Sequence, residues 1–269
     1  VMNRELVRDY LKYFLERKFG KIIKRELEIA QISNKATIVI GPRRAGKTYF
    51  FFQKISKLKR EEVIYLDFED IALRNLSPTD CFRIITEIFP EIIGNEPKYI
   101  FLDEVQVIRG WESLVRTLLD RGFKVFITGS SSKLLSKEIA TQLRGRGITY
   151  LLLPFSFREF LGVKNFKVDI NSLSDIGKVK HILREYIEWG GFPEVVLREE
   201  KEKILKEYLD LSFFKDFIER HRLRNIRIAR YIFDFSLQNF SNEITVRSIE
   251  RKLKSMKIAR FGINMGFGR

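Results

Sequence analysis

Residues 36–58 read ATIVIGPRRAGKTYFFFQKISKL, and this stretch restricts the fold more than any other part of the chain. The run 36–40 is short, apolar and β-branched, which is the composition of a strand buried on both faces of a parallel sheet. The run 48–58 carries apolar residues at helical spacing and has no breaker. Between them lies G-x-x-x-x-G-K-T, filled by Gly41, Gly46, Lys47 and Thr48. Strand, glycine loop and helix, in that order, form the context in which such a loop cradles phosphate. The glycines let consecutive N–H groups face one anion, and the helix N-terminus adds partial positive charge. Lys47 brings an ammonium to the outer phosphates, and the Thr48 hydroxyl is a magnesium ligand. The expected nucleotide contacts are Gly41, Pro42, Arg43, Arg44, Ala45, Gly46, Lys47, Thr48 and Tyr49.

A second strand should then supply a carboxylate for the metal. KYIFLDEVQ (98–106) ends an apolar run in Asp103 and Glu104, and ligands gather at the carboxyl ends of strands in open α/β sheets. Asp103 is expected to hold Mg2+ through water, and Glu104 to polarise an attacking water. EEVIYLDF (61–68), FKVFITG (123–129) and ITYLLLP (148–154) complete a five-strand set separated by helical patterns. The helix WESLVRTLLDRG (111–122) ends in glycine, as a helix C-terminus should. The fourth strand opens into GSSSK, where Thr128, Ser130 or Ser131 would contact the γ-phosphate or the water, or else cap the next helix. Arg144 and Arg146, in TQLRGRG (141–147), are candidates to stabilise transferred-phosphate charge from a neighbouring subunit. SFRE (156–159) reads as a capping box with a structural role.

Composition excludes several classes. A single cysteine, Cys81, rules out a disulfide framework and any cysteine-based zinc site, and His181 and His221 are isolated. No apolar run approaches a membrane span, and the first twenty residues have no signal-peptide core. The chain therefore reads as a soluble, cytoplasmic protein. Its net charge of +15 is uneven: residues 1–60 hold 16 basic and 5 acidic side chains, and residues 201–269 hold 16 and 8. Any polyanion would meet these ends, and weak, sequence-indifferent nucleic-acid binding is expected of them.

Taken in order, GPRRAGKT, FLDEVQ, FITGSSSKLL, LRGRG, LPFSFREFL and WGGFPEVV resemble the prokaryotic AAA+-type ATPases. In that family a P-loop core is followed by a winged helix and a nuclease-like domain of unknown function. The resemblance covers roughly residues 20–255. It implies an α/β P-loop NTPase core with five parallel strands in the order 5-1-4-3-2, flanked by helices and followed by a helical lid. It also implies that Lys47 and Thr48 bind ATP, that Asp103 and Glu104 form the second motif, and that Ser130 is a sensor. Pro193, in GGFP (190–193), would contact the base. The core is expected over 1–190, with the lid and a partial winged helix over 191–269. EITVRSIERKLKSM (243–256) would begin the winged helix, and the chain then ends in KIARFGINMGFGR, without the nuclease-like part. The leading reading is an ATP-binding, ATP-hydrolysing AAA+-like switch of unknown client, with a second copy of the chain as a candidate partner. The alternatives are a DNA-associated module with regulatory nucleotide binding, and a truncated fragment that binds nucleotide without turnover.

Overall fold

The computed structural model describes residues 2–130, 142–166, 173–219 and 221–255. Ser131 and the tail 256–269 lie outside them. The chain divides into two compact units, Val1–Lys201 and Glu202–Arg269, so the GGFP turn goes with the first.

The first unit is built on strands β1 (Ala36–Gly41), β2 (Val63–Asp67), β3 (Tyr99–Asp103), β4 (Lys124–Ser130) and β5 (Gly147–Leu151). They pair in parallel in the order β2-β3-β4-β1-β5, the arrangement that the resemblance implies. The middles of the central strands are mostly apolar because helices cover both faces of the sheet. Ile38, Ile40, Ile64, Leu66, Ile100, Leu102, Val125 and Ile127 enter one core, and the alternate residues Val39, Val63, Tyr65, Phe101 and Phe126 enter a second.

The first core is closed by α1 (Arg4–Glu16), α3 (Pro78–Arg83), α4 (Phe89–Ile93) and α5 (Trp111–Asp120). A π-helical turn, Ile84–Ile88, joins α3 to α4. Pro90 has no N–H to continue the helical ladder, and the Phe89 amide bonds the Ile84 carbonyl, five residues back. The second core receives Phe50, Phe51, Phe52 and Ile55 of α2 (Lys47–Ile55). Phe101 lies stacked on Phe126 at 4.5 Å and meets the Phe51 ring edge-on at 5.0 Å. This aromatic layer fixes the helix that follows the glycine loop against the strand that ends in Asp103.

The first unit continues through α6 (Phe157–Val163), α7 (Leu173–Trp189) and α8 (Pro193–Leu197). The second unit takes up α9 (Lys201–Leu211) from residue 202. A π-helical stretch, Ser212–Glu219, follows, then α10 (Ile226–Gln238) and α11 (Val246–Ser255). Its apolar centre includes Phe213, whose ring lies 5.3 Å from that of Phe233 and under the Arg230 guanidinium at 5.0 Å. Among the described residues no helix is long and apolar enough to cross a membrane.

Phe101 is fully buried between two rings, so Phe101→Ala should remove about 3–5 kcal/mol of stability. A lowered denaturant midpoint at unchanged slope is the expected result.

Candidate functional site

The parallel register brings Gly41, Ser130, Asp67 and Asp103 to the same edge of the sheet. Gly41 pairs with Ser130, and Asp67 with Asp103. From Gly41 the chain turns through the loop into α2. A Cβ on Gly41 would lie 2.1 Å from the Leu152 carbonyl oxygen, so the close passage of the chain leaving β5 requires glycine there. Gly46 stands at φ 91° as the residue before α2, and no side-chain hydrogen bond caps the helix. Its first-turn N–H groups are therefore the donors that an anion would meet.

Lys47 is buried and donates to the Gly41 and Pro42 carbonyls at 3.3 and 3.1 Å, while its Nζ lies 3.8 Å from Glu104 Oε1. Burial pushes its ammonium below the usual lysine range, against the pull of Glu104 and Asp103. The Thr48 hydroxyl donates to Asp103 Oδ2 at 2.7 Å. The Tyr65 hydroxyl reaches the same oxygen at 2.7 Å, and the Thr128 hydroxyl donates to Asp103 Oδ1. Thr128 Oγ1 also accepts the Glu104 amide at 3.1 Å. Asp103 thus has three hydroxyl donors on a nearly inaccessible carboxylate.

Burial raises the Glu104 carboxyl above its ordinary range, opposed by Lys47 and by a hydrogen bond from Gln106. Asp67 is pushed up to about 6, first by burial and then by Asp103 beside it. Among the described residues no three His, Cys, Asp or Glu side chains form a metal cage. One hydroxyl and one carboxylate side by side suit Mg2+, which is ordinarily held by one or two carboxylates plus substrate phosphates and water.

An unforeseen residue supports the loop from behind. Arg25, at 7% exposure, donates from Nη1 to the Ala45 carbonyl at 2.9 Å and from Nη2 to the Leu153 carbonyl at 2.6 Å. Its Nε donates to Glu159 Oε1 at 3.0 Å, and its backbone N–H donates to Gln53 Oε1 at 2.8 Å. Glu159 also closes the capping box with Ser156, as SFRE indicates, and accepts the Glu26 amide at 2.6 Å. Burial pulls its carboxyl upward, but Arg25 and these amides hold it below the usual range. Nothing in a lone arginine of a basic, irregular segment marks this role in the sequence.

The other expected site residues fall into three groups. Pro193 is beside the loop: its Cγ lies 3.4 Å from where a Cβ on Gly46 would be. Arg44, at φ 64°, reaches Glu194 at 3.3 Å, and Tyr49 is exposed with its ring edge-on to Phe52. Thr128 is at the site, but its hydroxyl is committed to Asp103 and the Glu104 amide. Ser130 closes β4 opposite Gly41, and its side chain lies outside the described structure. Arg144 and Arg146 are at the opposite end of the sheet. The Arg146 carbonyl accepts the Ala36 amide at the start of β1, and its guanidinium pairs with Asp120. A strand of this length puts roughly 17 Å between its ends, so neither arginine joins the loop of its own chain.

A glycine loop at a helix start, facing two carboxylates at the end of a parallel strand one removed in the sheet, defines a P-loop nucleotide site. Residues 33–161 match the family model described as AAA domain, which supports an AAA-type P-loop ATPase family and nucleotide binding for this core. The chain is 43% identical over 267 residues to the uncharacterized protein MJ1544 of Methanocaldococcus jannaschii, covering 97% of this chain and 59% of that protein. It is 31% identical over 230 residues to an uncharacterized protein of Haemophilus influenzae, covering 82% and 56%. A second M. jannaschii protein, MJ1637, is 27% identical over 72% of this chain and 46% of its own length. The chain thus spans about half the length of the curated relatives it matches.

Arg25→Met keeps the stem but leaves Glu159 buried without its cation. Such a change should cost about 3–5 kcal/mol at neutral pH. Because Arg25 lowers the folded pKa of Glu159, its stabilisation is present above the unfolded carboxylate pKa and is lost as pH falls through the folded value. Urea melts across pH should therefore show the gap between parent and variant narrowing below about pH 4.5, the ordinary glutamate range.

Proposed function

We propose that the chain binds ATP with Mg2+ and hydrolyses it, acting as an AAA+-like molecular switch. The observation that carries this reading is the convergence of Lys47, Thr48, Asp103 and Glu104, with Thr48 bonded to Asp103 and Lys47 within 3.8 Å of Glu104. Gly46 and the first amides of α2 would receive the phosphates, with Lys47 turning to the outer ones. Thr48 and Asp103 would hold Mg2+, which when bound neutralises charge on the phosphate oxygens. Pro193, beside Gly46, and Tyr49, next to Thr48, are the candidates to meet the base.

Glu104 is the general base in this reading. As it takes a proton from water, the water oxygen bonds to the γ-phosphorus. The bond from that phosphorus to the β–γ bridging oxygen breaks, and its electron pair leaves on ADP. Burial raises the Glu104 pKa toward working pH, the direction that suits a general base. Arg144 and Arg146 stand too far from their own loop, which leaves them for the loop of a neighbouring copy. The reading is accordingly that of a homo-oligomer.

Lys47→Ala should weaken Mg-ATP binding by about 1.5–3 kcal/mol, the worth of a charge-assisted hydrogen bond. Calorimetry showing unchanged affinity would remove the loop assignment. Glu104→Gln should keep ATP bound while turnover falls about 10²–10⁴-fold. Equal loss of binding would place Glu104 on the metal instead.

For the arginines, Arg146→Ala should bind ATP normally and hydrolyse it slowly. Mixing that variant with Glu104→Gln should recover activity through hybrid interfaces. A slow variant with no recovery on mixing contradicts the shared site.

A further inference from the structure

Glu104 has a backbone conformation that residues with a Cβ seldom adopt, φ 52° and ψ 45°. Strained positions of this kind persist where the surroundings enforce them, and they gather at functional sites. Here the left-handed residue starts a 3₁₀ turn, Val105–Val107, in which the Val107 amide donates to the Glu104 carbonyl at 3.0 Å. The turn folds Gln106 back over Glu104, and the Gln106 Nε2–H donates to Glu104 Oε2. The other end of that amide behaves differently. Gln106 Oε1 is buried and has no hydrogen-bond partner among the described residues. Buried amide oxygens are almost always satisfied, so a free acceptor beside the base is a place for a donor.

We infer that Gln106 is a positioning residue for hydrolysis: its Nε2–H fixes Glu104, and its Oε1 is left to accept the second hydrogen of the attacking water. The inference rests on the hydrolytic reading of this site. The amide orientation follows from charge, because turning Oε1 toward an ionised Glu104 would set two acceptors against each other. The charged groups acting on Glu104 are Lys47 from α2, Asp103 at the end of β3 and Glu69 beyond β2, while Thr128 on β4 holds its backbone amide. Lys47 is the only cation among them, and it also serves the Gly41 and Pro42 carbonyls. A phosphate chain carries more charge than one carboxylate and draws Lys47 away from Glu104. Gln106 is neutral, so no such competition moves it. It is the donor that stays with the base once the ammonium has turned to phosphate.

The test compares the parent chain with Gln106→Met, Glu104→Gln and the double variant, measuring Mg-ATP affinity by calorimetry and turnover across pH. Gln106→Met should bind Mg-ATP within about 2-fold of the parent and turn it over about 10–100-fold more slowly, the range for an outer-shell partner. Its acid limb should move to higher pH, because the ionised carboxylate has lost a donor. The double variant should be no slower than Glu104→Gln alone, since the two residues act as a unit. If Gln106→Met fails to fold, Gln106→Glu keeps the shape and should move the acid limb further up by like-charge repulsion. An unchanged rate and acid limb, an additive loss in the double variant, or a faster variant, which would make Gln106 a brake, each overturns the inference. A parent chain that binds Mg-ATP and never hydrolyses it overturns the hydrolytic reading, and this inference with it. A parent that turns over normally beside an insensitive Gln106→Met removes the role of Gln106 alone.

Discussion

A carboxylate withdrawn from water must be compensated, and Asp103 is where this fold meets that requirement. Its two oxygens receive hydroxyls from three elements: Thr48 on the loop helix, Tyr65 on β2 and Thr128 on β4. Each hydrogen bond to a charged group contributes about 1.5–3 kcal/mol, and removal of a donor would expose the full desolvation penalty. The sheet register is therefore tied to the site. A one-residue slip of β4 against β3 would carry Thr128 to the other face and strand the carboxylate. Tyr65 joins core and site in one side chain, with its ring against Phe14 and Phe52 and its hydroxyl on Asp103. Burial and the neighbouring carboxylate push its phenol well above the usual range, which keeps it a hydrogen-bond donor at any working pH.

The Arg25–Glu159 pair solves a related problem by another route. Desolvating two charges is costly, and an apolar pair of similar shape often serves stability as well. What an apolar pair could not do is bind carbonyls. Arg25 spends its remaining donors on Ala45 and Leu153, so the back of the loop and the chain leaving β5 share one rigid cation. The same exit is pinned again where the Phe155 amide donates to the Gly191 carbonyl at 2.7 Å and Tyr186 donates to the Phe155 carbonyl at 2.7 Å. A Cβ on Gly191 would lie 2.2 Å from that Phe155 carbonyl oxygen, so the glycine is needed for the approach. The turn that carries Pro193 is in this way fastened to the loop it flanks.

These contacts mark what could be read in the sequence. The five strands were legible because each is a short apolar run with both faces buried, and periodicity reports burial directly. The loop was legible because Gly41, Gly46, Lys47 and Thr48 fall within one eight-residue stretch, and Asp103 and Glu104 because they end a strand of that character. Arg25, Tyr65 and Gln106 were not legible as partners. Their roles depend on contacts 20 to 134 residues away, or on a left-handed turn at Glu104 that no side-chain pattern announces. SFRE shows the limit well. The local capping box was plain, but Glu159 also answers a cation far upstream, and spacing carries no record of that.

The site also holds some of its groups more closely than others. Asp103, Thr48 and Thr128 hold one another by short hydroxyl bonds, and Glu104 is held through its amide and by Gln106. Lys47 is different, with two carbonyl contacts beyond 3.0 Å and a carboxylate at 3.8 Å. At an effective dielectric of about 20, a unit charge at that distance interacts on the order of 4 kcal/mol, and a phosphate chain of several charges exceeds it. The partly desolvated ammonium gains more from such a partner than an exposed one would. In the proposed function Lys47 would be the responsive cation of the loop, and the partner it would give up is Glu104, the proposed base. On that proposal phosphate binding and release of Glu104 would be one event, because both draw on the same ammonium.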